Sequence, residues 1–120
     1  MIQHNTPEKI KLRFSEAYLY FIALHEEQIV GVIGIKEYND EPNHLYHLFV
    51  DKAYRRHGIA RKMWDFYLEQ CSEQAKNQSF RVNSSLMAVD VYKNFGFVEN
   101  GEYFEKDHIP CVPMLLSKIE

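Results

Sequence analysis

VDKAYRRHGIAR, residues 50–61, joins an apolar strand-like run to an amphipathic helix. The N-terminus of a helix has unpaired backbone N–H groups and a partial positive charge, which together bind phosphate. Gly58 has no Cβ, so a bulky anion can approach its backbone. The guanidinium groups of Arg55, Arg56 and Arg61 add charge-assisted donors. The stretch therefore predicts a cradle for a diphosphate.

Composition limits the classes of protein to which the chain can belong. Its 120 residues are 46% hydrophobic with a net charge of −3, which predicts one folded domain over residues 1–120. The acidic balance disfavours a nucleic-acid partner and suits a cationic substrate. Cys71 and Cys111 have no metal-ligand spacing and are expected to be buried thiols without a metal. No apolar run of about 18 residues and no signal peptide are found, so we expect no membrane partner and a cytoplasmic location.

The order of periodic segments predicts a mixed α/β fold with a strand-to-helix crossover near its middle. A helix is expected from about residue 6 to residue 15, because a threonine cap and a proline begin that segment. The other predicted strands are 18–24 and 28–38, forming a hairpin buried on both faces, 44–50, 79–82, 97–104 and 112–119. Further helices are predicted over 58–74 and from 84 to 94. Pro113 indicates an edge or a bulge in the last strand.

Two motifs in this order resemble those of the GNAT acyltransferases, which are acetyl-CoA-dependent N-acetyltransferases. The first is RxxGxA at residues 55–60, and the second is AxxxYxxxGF at residues 88–97. The tail IPCVPM, residues 109–114, is similar to the end of some bacterial members. The resemblance covers residues 17–117 and implies a mostly antiparallel central sheet flanked by helices. Members usually begin with a strand and two helices, so we expect a core over 17–120, a partial helical region over 1–16, and no first strand or first helix.

The resemblance implies acetyl-CoA as the cosubstrate and no metal. Backbone N–H groups between about Arg56 and Arg61 would hold the pyrophosphate. The main chain at Phe49 and Val50 would bond pantetheine and polarise the thioester, while the side chains of both are expected in the core. Ser85 stands where many members have asparagine, and it can bond pantetheine or cap a helix. The implied cofactor-binding residues are Phe49, Val50, Arg55, Arg56, His57, Gly58, Ile59, Ala60, Arg61, Ser85 and Tyr92. The alternative for the 55–61 stretch is a capped helix with solvated arginines.

Acetyl transfer to an amine needs an acid for the departing thiolate and a base for the ammonium. The resemblance implies that Tyr92 is the acid; the alternative is a buried tyrosine that only packs. His44 is the leading base because a histidine titrates near neutral pH. Its alternative is an exposed strand-end histidine, and ordered water is a rival base. Other candidate bases are Tyr46, which should share a strand face with His44, His47, which should face the other way, Glu37 and Glu41.

Two further groups of residues are expected to have structural rather than functional roles. Tyr18, Tyr20 and Phe21 are expected in the core rather than in a stacking platform. His108 and Cys111 lack further ligands or a partnering acid, so no metal site or nucleophile pair is expected.

The predicted function is transfer of the acetyl group of acetyl-CoA to a primary amine of a small molecule or peptide, by direct attack in a ternary complex. The first alternative is a CoA-binding regulatory module without acetyl transfer. The second is a nucleic-acid-binding domain that uses residues 55–62. A homodimer is possible, because a missing first strand would leave an exposed sheet edge.

Overall fold

A computed structural model describes residues 9–15, 18–55 and 58–117. The described residues form two compact units. The first comprises those up to Lys36 together with Leu45–Cys71, and the second comprises Glu37–His44 and those from Ser72 onward. Strand β4 contributes to both units, because its first two residues belong to the second.

The first unit is built on an antiparallel sheet. Its strands are β1 (Lys9–Ser15), β2 (Tyr18–His25), β3 (Gln28–Lys36) and most of β4 (Asn43–Val50), in the order β1-β2-β3-β4. The predicted hairpin is confirmed, since β2 and β3 pair around a turn at Glu26 and Glu27, both with positive φ. One of its faces is buried, but Tyr18 and Tyr20 on the other are half-exposed. The prediction of burial on both faces is therefore wrong.

Helix α1 (Ile59–Gln70) covers the buried face of this sheet. Its apolar stripe buries four side chains, namely Ile59, Met63, Trp64 and Tyr67. The Tyr67 ring lies edge-on to that of Phe21, with 6.0 Å between the centroids. Each such fully buried side chain contributes about 1.5–3 kcal/mol relative to exposure. This packing fixes the direction in which α1 leaves the loop that precedes it.

The second unit contains the parallel pairing. Asn43 and His44 of β4 pair with Phe80 and Arg81 of β5 (Phe80–Ser85). Strand β8 (Ile109–Leu116) then pairs antiparallel with β5 on one side and with β6 (Val98–Glu99) and β7 (Phe104–Lys106) on the other. The helices are α2 (Glu73–Lys76) and α3 (Val89–Phe95). The strands pair in a mixed, mostly antiparallel arrangement, and helices flank the sheet. This arrangement confirms the predicted fold class.

The N-terminal prediction is wrong. Residues Lys9–Ser15 form a strand that pairs with β2, not the end of a helix. Their sequence KIKLRFS alternates charged and apolar residues, which is the strand period. A strand therefore does precede the hairpin, and only residues 16 and 17 separate it from β2. The edge on which the homodimer argument relied is occupied by β1.

Several details also differ from the prediction, among them the start of α3, which lies at Val89 and not at residue 84. Helix α1 ends at Gln70 and not near residue 74, and Ser72 begins α2 by accepting a hydrogen bond from the Ala75 N–H. The strand predicted over 97–104 is two short strands. Pro113 lies in β8, between strands on both sides and without a register shift against β5. Its missing N–H falls in the gap between β6 and β7, where its carbonyl accepts from the Asn100 N–H.

Candidate active site

The loop after β4 is ordered by its own polar groups. Asp51 Oδ1 accepts a hydrogen bond from the Ala53 N–H at 2.9 Å and so begins a 3₁₀ turn at Lys52–Tyr54. The Arg55 guanidinium then donates through Nε to the Val50 carbonyl at 3.3 Å. Both contacts hold the loop, from which the chain continues to α1, close to the end of β4.

Gly58 supplies the conformation that starts the helix. Its φ of +75° lies in the left-handed region, where a Cβ is strained. A Cβ built on Gly58 would meet no atom within 4 Å, so the residue borders open space. Among the residues that the structure describes, no side chain caps α1, and its first turn has no acidic residue. The first N–H groups of the helix are thus left for an external acceptor.

The charges beside this helix start are exposed. Arg55 is exposed, and Arg61 Nε lies 3.1 Å from Asp65 Oδ1, one turn along the helix. Ile59, by contrast, is buried and anchors the first turn in the core, while Ala60 is half-buried. Arg56 and His57, which were also predicted to bind the cofactor, lie outside the described residues.

The end of β4 departs from expectation at one side chain. Phe49 is 49% exposed, so its predicted place in the core is wrong, whereas Val50 is half-buried. The Val50 carbonyl accepts from Arg55, and the Asp51 N–H donates to Val30 of the neighbouring strand at 2.8 Å. The main chain here is therefore held from both sides.

Tyr92 of α3 is buried, with 6% of its surface exposed. Its ring lies edge-to-face against Phe95 and Phe97, with centroid separations of 6.0 and 5.8 Å. Burial raises the pKa of its hydroxyl to about 12. The phenol therefore keeps its proton across the physiological range. Gly96, with φ of +110°, ends α3 and turns the chain toward Phe97.

Ser85 ends β5 and is exposed. It occupies the N-cap position of a short 3₁₀ turn, Leu86–Ala88, but its side chain makes no capping hydrogen bond there. The Ser84 hydroxyl donates to the Ser85 carbonyl at 2.6 Å instead of capping the helix. Capping by this serine pair is therefore not found.

His44 is buried, so the alternative of an exposed strand-end histidine is wrong. The preceding residue holds its strand in place. Asn43 Nδ2 donates to the Ala75 carbonyl at 3.0 Å, and Asn43 Oδ1 accepts from the Tyr38 N–H at 3.1 Å. Gln78 adds hydrogen bonds of 2.7 Å to the carbonyls of Tyr38 and Asn39. Sequence reasoning missed this amide network, for which an asparagine at a strand start is the only signal.

The other candidate bases are more open to water. Glu37 is half-buried, while Glu41, Tyr46 and His47 are exposed. Tyr46 and His47 were predicted to face opposite sides, yet both rings lie within 6.2 Å of the Tyr18 ring. Strict alternation is therefore interrupted in the middle of β4.

The predicted site residues divide between the two units. Phe49, Val50, Arg55 and Gly58–Arg61 are brought together at the β4–α1 junction of the first unit. His44, Ser85 and Tyr92 belong to the second unit.

Two kinds of feature are absent from the described residues. No group of three or more His, Cys, Asp or Glu side chains is arranged to hold a metal ion in that part of the chain. Among the helices of the same residues, none has the length and apolarity needed to cross a membrane.

Comparison with known proteins identifies relatives of the whole arrangement. The family model described as "Acetyltransferase (GNAT) domain" matches residues 2–118. N-acetyltransferase 8 of Homo sapiens is 29% identical over 92 residues, which cover 71% of this chain and 40% of that protein. The chain thus spans about two fifths of the length of the curated relatives it matches.

Solved structures share the fold at low sequence identity. Escherichia coli ElaA superposes with a TM-score of 0.73 at 18% identity, covering 87% of this chain and 71% of that one. A GNAT family acetyltransferase from Elizabethkingia anophelis, solved with acetyl-CoA bound, has a TM-score of 0.69 at 12% identity and covers 98% of this chain and 100% of that one. The motifs at 55–60 and 88–97 agree with the family match, which spans nearly the whole sequence. The chain belongs to the GNAT acetyltransferase family.

Proposed function

We propose that this chain transfers the acetyl group of acetyl-CoA to a primary amine of a small molecule or peptide. The observation that carries the proposal is the start of α1, where Gly58 in the left-handed conformation borders open space beside uncapped N–H groups. That arrangement suits a pyrophosphate, because several N–H donors can bond it without a side chain in the way. Arg55 and Arg61 would neutralise its charge.

The reaction would proceed by direct attack in a ternary complex. An alkyl ammonium with a pKa of about 10 must first lose a proton, for which we propose His44 or a water molecule bonded to it. The amine nitrogen then attacks the thioester carbon, and the oxygen takes up negative charge. A main-chain N–H at Phe49 or Val50 would stabilise that oxyanion.

Collapse of the intermediate breaks the carbon–sulfur bond. The thiolate would take the proton of the Tyr92 hydroxyl, and the proton lost by the nitrogen would replace it. The products are the N-acetyl amine and CoA, with one proton released to solvent. Because burial raises the pKa of Tyr92 to about 12, the phenol carries its proton at neutral pH, which the role of an acid requires.

Calorimetric titration of the protein with acetyl-CoA, followed by thiol release from a panel of primary amines, tests the proposal. We expect micromolar binding and release of thiol that depends on the amine. Binding without turnover on any amine would instead mark a CoA-binding regulatory module. No binding by the folded protein would refute the pyrophosphate assignment as well.

A further inference from the structure

Four aromatic rings form an exposed cluster in the first unit. Its members are Tyr18 and Tyr20 of β2 with Tyr46 and His47 of β4, and we call it the aromatic patch. The centroid of the Tyr18 ring lies 5.9 Å from that of Tyr20 and 5.0 Å from that of Tyr46, the latter edge-on. Tyr20 and His47 stack at 5.6 Å, and Tyr20 Oη and His47 Nδ1 are hydrogen-bonded at 3.2 Å. Tyr18 and Tyr20 were predicted as core residues, and that prediction is wrong.

The sheet beneath the patch is shaped to hold these rings. Tyr20 pairs with Gly34 across the β2–β3 hairpin, and a Cβ on Gly34 would lie 2.6 Å from Tyr20 Cε1. The ring therefore lies flat on the glycine backbone. Cross-strand aromatic pairs stabilise a sheet, but that role does not require exposed rings. Tyr46 and His47 are exposed, and Tyr18 and Tyr20 are half-exposed.

The charge of the patch favours an anionic aromatic group. Lys36, the β3 partner of Tyr18, has its Nζ 5.6 Å from the centroid of the Tyr18 ring. None of the four members of the patch carries a carboxylate, and three carry hydroxyls. Desolvation and the neighbouring Tyr46, with which Tyr18 shares a side-chain hydrogen bond, raise the pKa of Tyr18. Exposed ring faces beside an ammonium group suit a planar ring that bears a carboxylate.

The patch lies on the strand that carries the proposed thioester contact. Tyr46 precedes Phe49 by three residues in β4 of the same unit. A strand rises by about 3.3 Å per residue, so their backbones are roughly 10 Å apart. An acceptor the size of a dipeptide spans that distance.

We propose that the aromatic patch binds the part of the acceptor remote from its reacting amine, and that preferred acceptors carry an aromatic ring and a carboxylate. This inference rests on the proposed acetyl transfer. It narrows the acceptor from any primary amine to amines of about dipeptide size with an anionic aromatic end.

The inference is tested by measuring how three dipeptides bind to the protein without acetyl-CoA. The readout is the NMR signals of the tyrosine and histidine rings. Gly-Phe has the amine, the ring and the carboxylate, Gly-Leu lacks the ring, and Gly-Phe amide lacks the carboxylate. We expect Gly-Phe to bind roughly threefold to tenfold more tightly than either of the others, with shifts at the patch signals. Equal affinities for the three, or shifts elsewhere only, would overturn it.

Variants assign the effect to the patch. Tyr18→Leu and Tyr46→Leu should each weaken Gly-Phe and leave Gly-Leu unchanged, and Lys36→Met should bring Gly-Phe to the level of its amide. Tyr103→Leu, at an exposed tyrosine of the second unit, is the matched control and should change nothing. Unchanged dipeptide affinity in the Tyr18→Leu and Tyr46→Leu variants, including the case in which they alter only self-association, overturns the proposal.

The design separates this inference from the proposed function. Selective binding of Gly-Phe without thiol release from acetyl-CoA would support the ligand class of the patch and refute acetyl transfer. Acetylation of amines with no preference among the three dipeptides would support acetyl transfer and refute the patch as an acceptor site.

Discussion

Helices α1 and α3 present two opposite kinds of candidate functional group. At α1 an exposed glycine leaves backbone N–H groups open, and the flanking arginines lie at the surface. At α3 the important group is one side chain, Tyr92, whose ring is enclosed by Phe95 and Phe97. The first depends on conformation and space, because the donors are main chain. The second depends on burial, because burial sets the acidity of the phenol.

The largest expected effect comes from filling the open space at α1. Gly58→Glu places a carboxylate beside the helix N-terminus, where it would bond the free N–H groups itself and repel a diphosphate. Charge-assisted hydrogen bonds contribute about 1.5–3 kcal/mol each, so losing two weakens acetyl-CoA binding on the order of 1,000-fold. Calorimetric titration measures the loss. Gln70→Glu, the control, adds the same charge at the other end of α1 and should leave the affinity for acetyl-CoA near that of the natural chain. Unchanged affinity in Gly58→Glu would contradict the pyrophosphate assignment.

The second effect tests the buried side chain. Tyr92→Phe keeps the ring packing and removes only the proton donor, so turnover should fall about 100-fold. Affinity for acetyl-CoA, measured on the same sample, should change less than about twofold. Tyr103→Phe removes an exposed hydroxyl from the same unit and serves as the control. Wild-type turnover in Tyr92→Phe would eliminate Tyr92 as the acid.

The raised pKa of Tyr92 also predicts how stability depends on pH. The folded protein holds this proton up to a pKa of about 12, while the unfolded chain loses it near 10. Stability from this group is thus complete below pH 10 and is lost as pH rises through 12. The loss is about 1.4 kcal/mol at pH 11 and approaches about 2.7 kcal/mol above pH 12.

Urea denaturation of the natural chain and of Tyr92→Phe, compared at pH 9 and pH 11, isolates this contribution. The difference in unfolding free energy between the two proteins should change by about 1.4 kcal/mol between those pH values, in favour of the variant at pH 11. A difference that stays constant would mean that the hydroxyl is not desolvated by the fold.

A smaller effect is expected at the proposed base. His44→Ala should lower turnover about tenfold on the acidic side of the rate–pH profile and shift its rising limb. His108→Asn, in the exposed β7–β8 turn with φ of +66°, keeps a residue that tolerates this conformation and is the control. An unaltered profile in His44→Ala would indicate water or another base.

The sequence predicted what depends on local pattern. The RxxGxA motif and the amphipathic character of α1 both follow from residue spacing, and the structure contains the apolar stripe of α1 as expected. The N-terminal strand was missed because a capping signal outside the described residues was given more weight than the alternation in KIKLRFS. Both signals are local. The strand is selected over the helix by its pairing with β2, which the local sequence does not show.

The candidate site was less predictable where side chains meet across strands. Nothing in β4 alone shows that Tyr46 and His47 reach the same ring, since that ring belongs to Tyr18 of β2. The exposure of Phe49 likewise could not be predicted from the apolar run in which it lies. Hydropathy does not show which end of a strand is left uncovered by other elements. Motif positions could therefore be assigned from sequence, but the surface around them could not.

The smallest expected effect separates the contribution of the backbone conformation of Gly58 from that of the open space beside it. Gly58→Ala meets no atom within 4 Å, so its penalty is the left-handed backbone, about 1–2 kcal/mol of unfolding free energy. Gly58→Asn should lose less stability, since asparagine tolerates that conformation. Gly58→Ala should bind acetyl-CoA within roughly threefold of the natural chain once folded, because a methyl group cannot bond the first-turn N–H groups, whereas the side-chain oxygen introduced by Gly58→Asn can accept from them and should weaken binding further. Urea denaturation and calorimetry measure the two quantities separately. If Gly58→Ala instead lost affinity as severely as Gly58→Glu, the close approach of the ligand to the Gly58 Cα, rather than the charge of the added group, would govern binding.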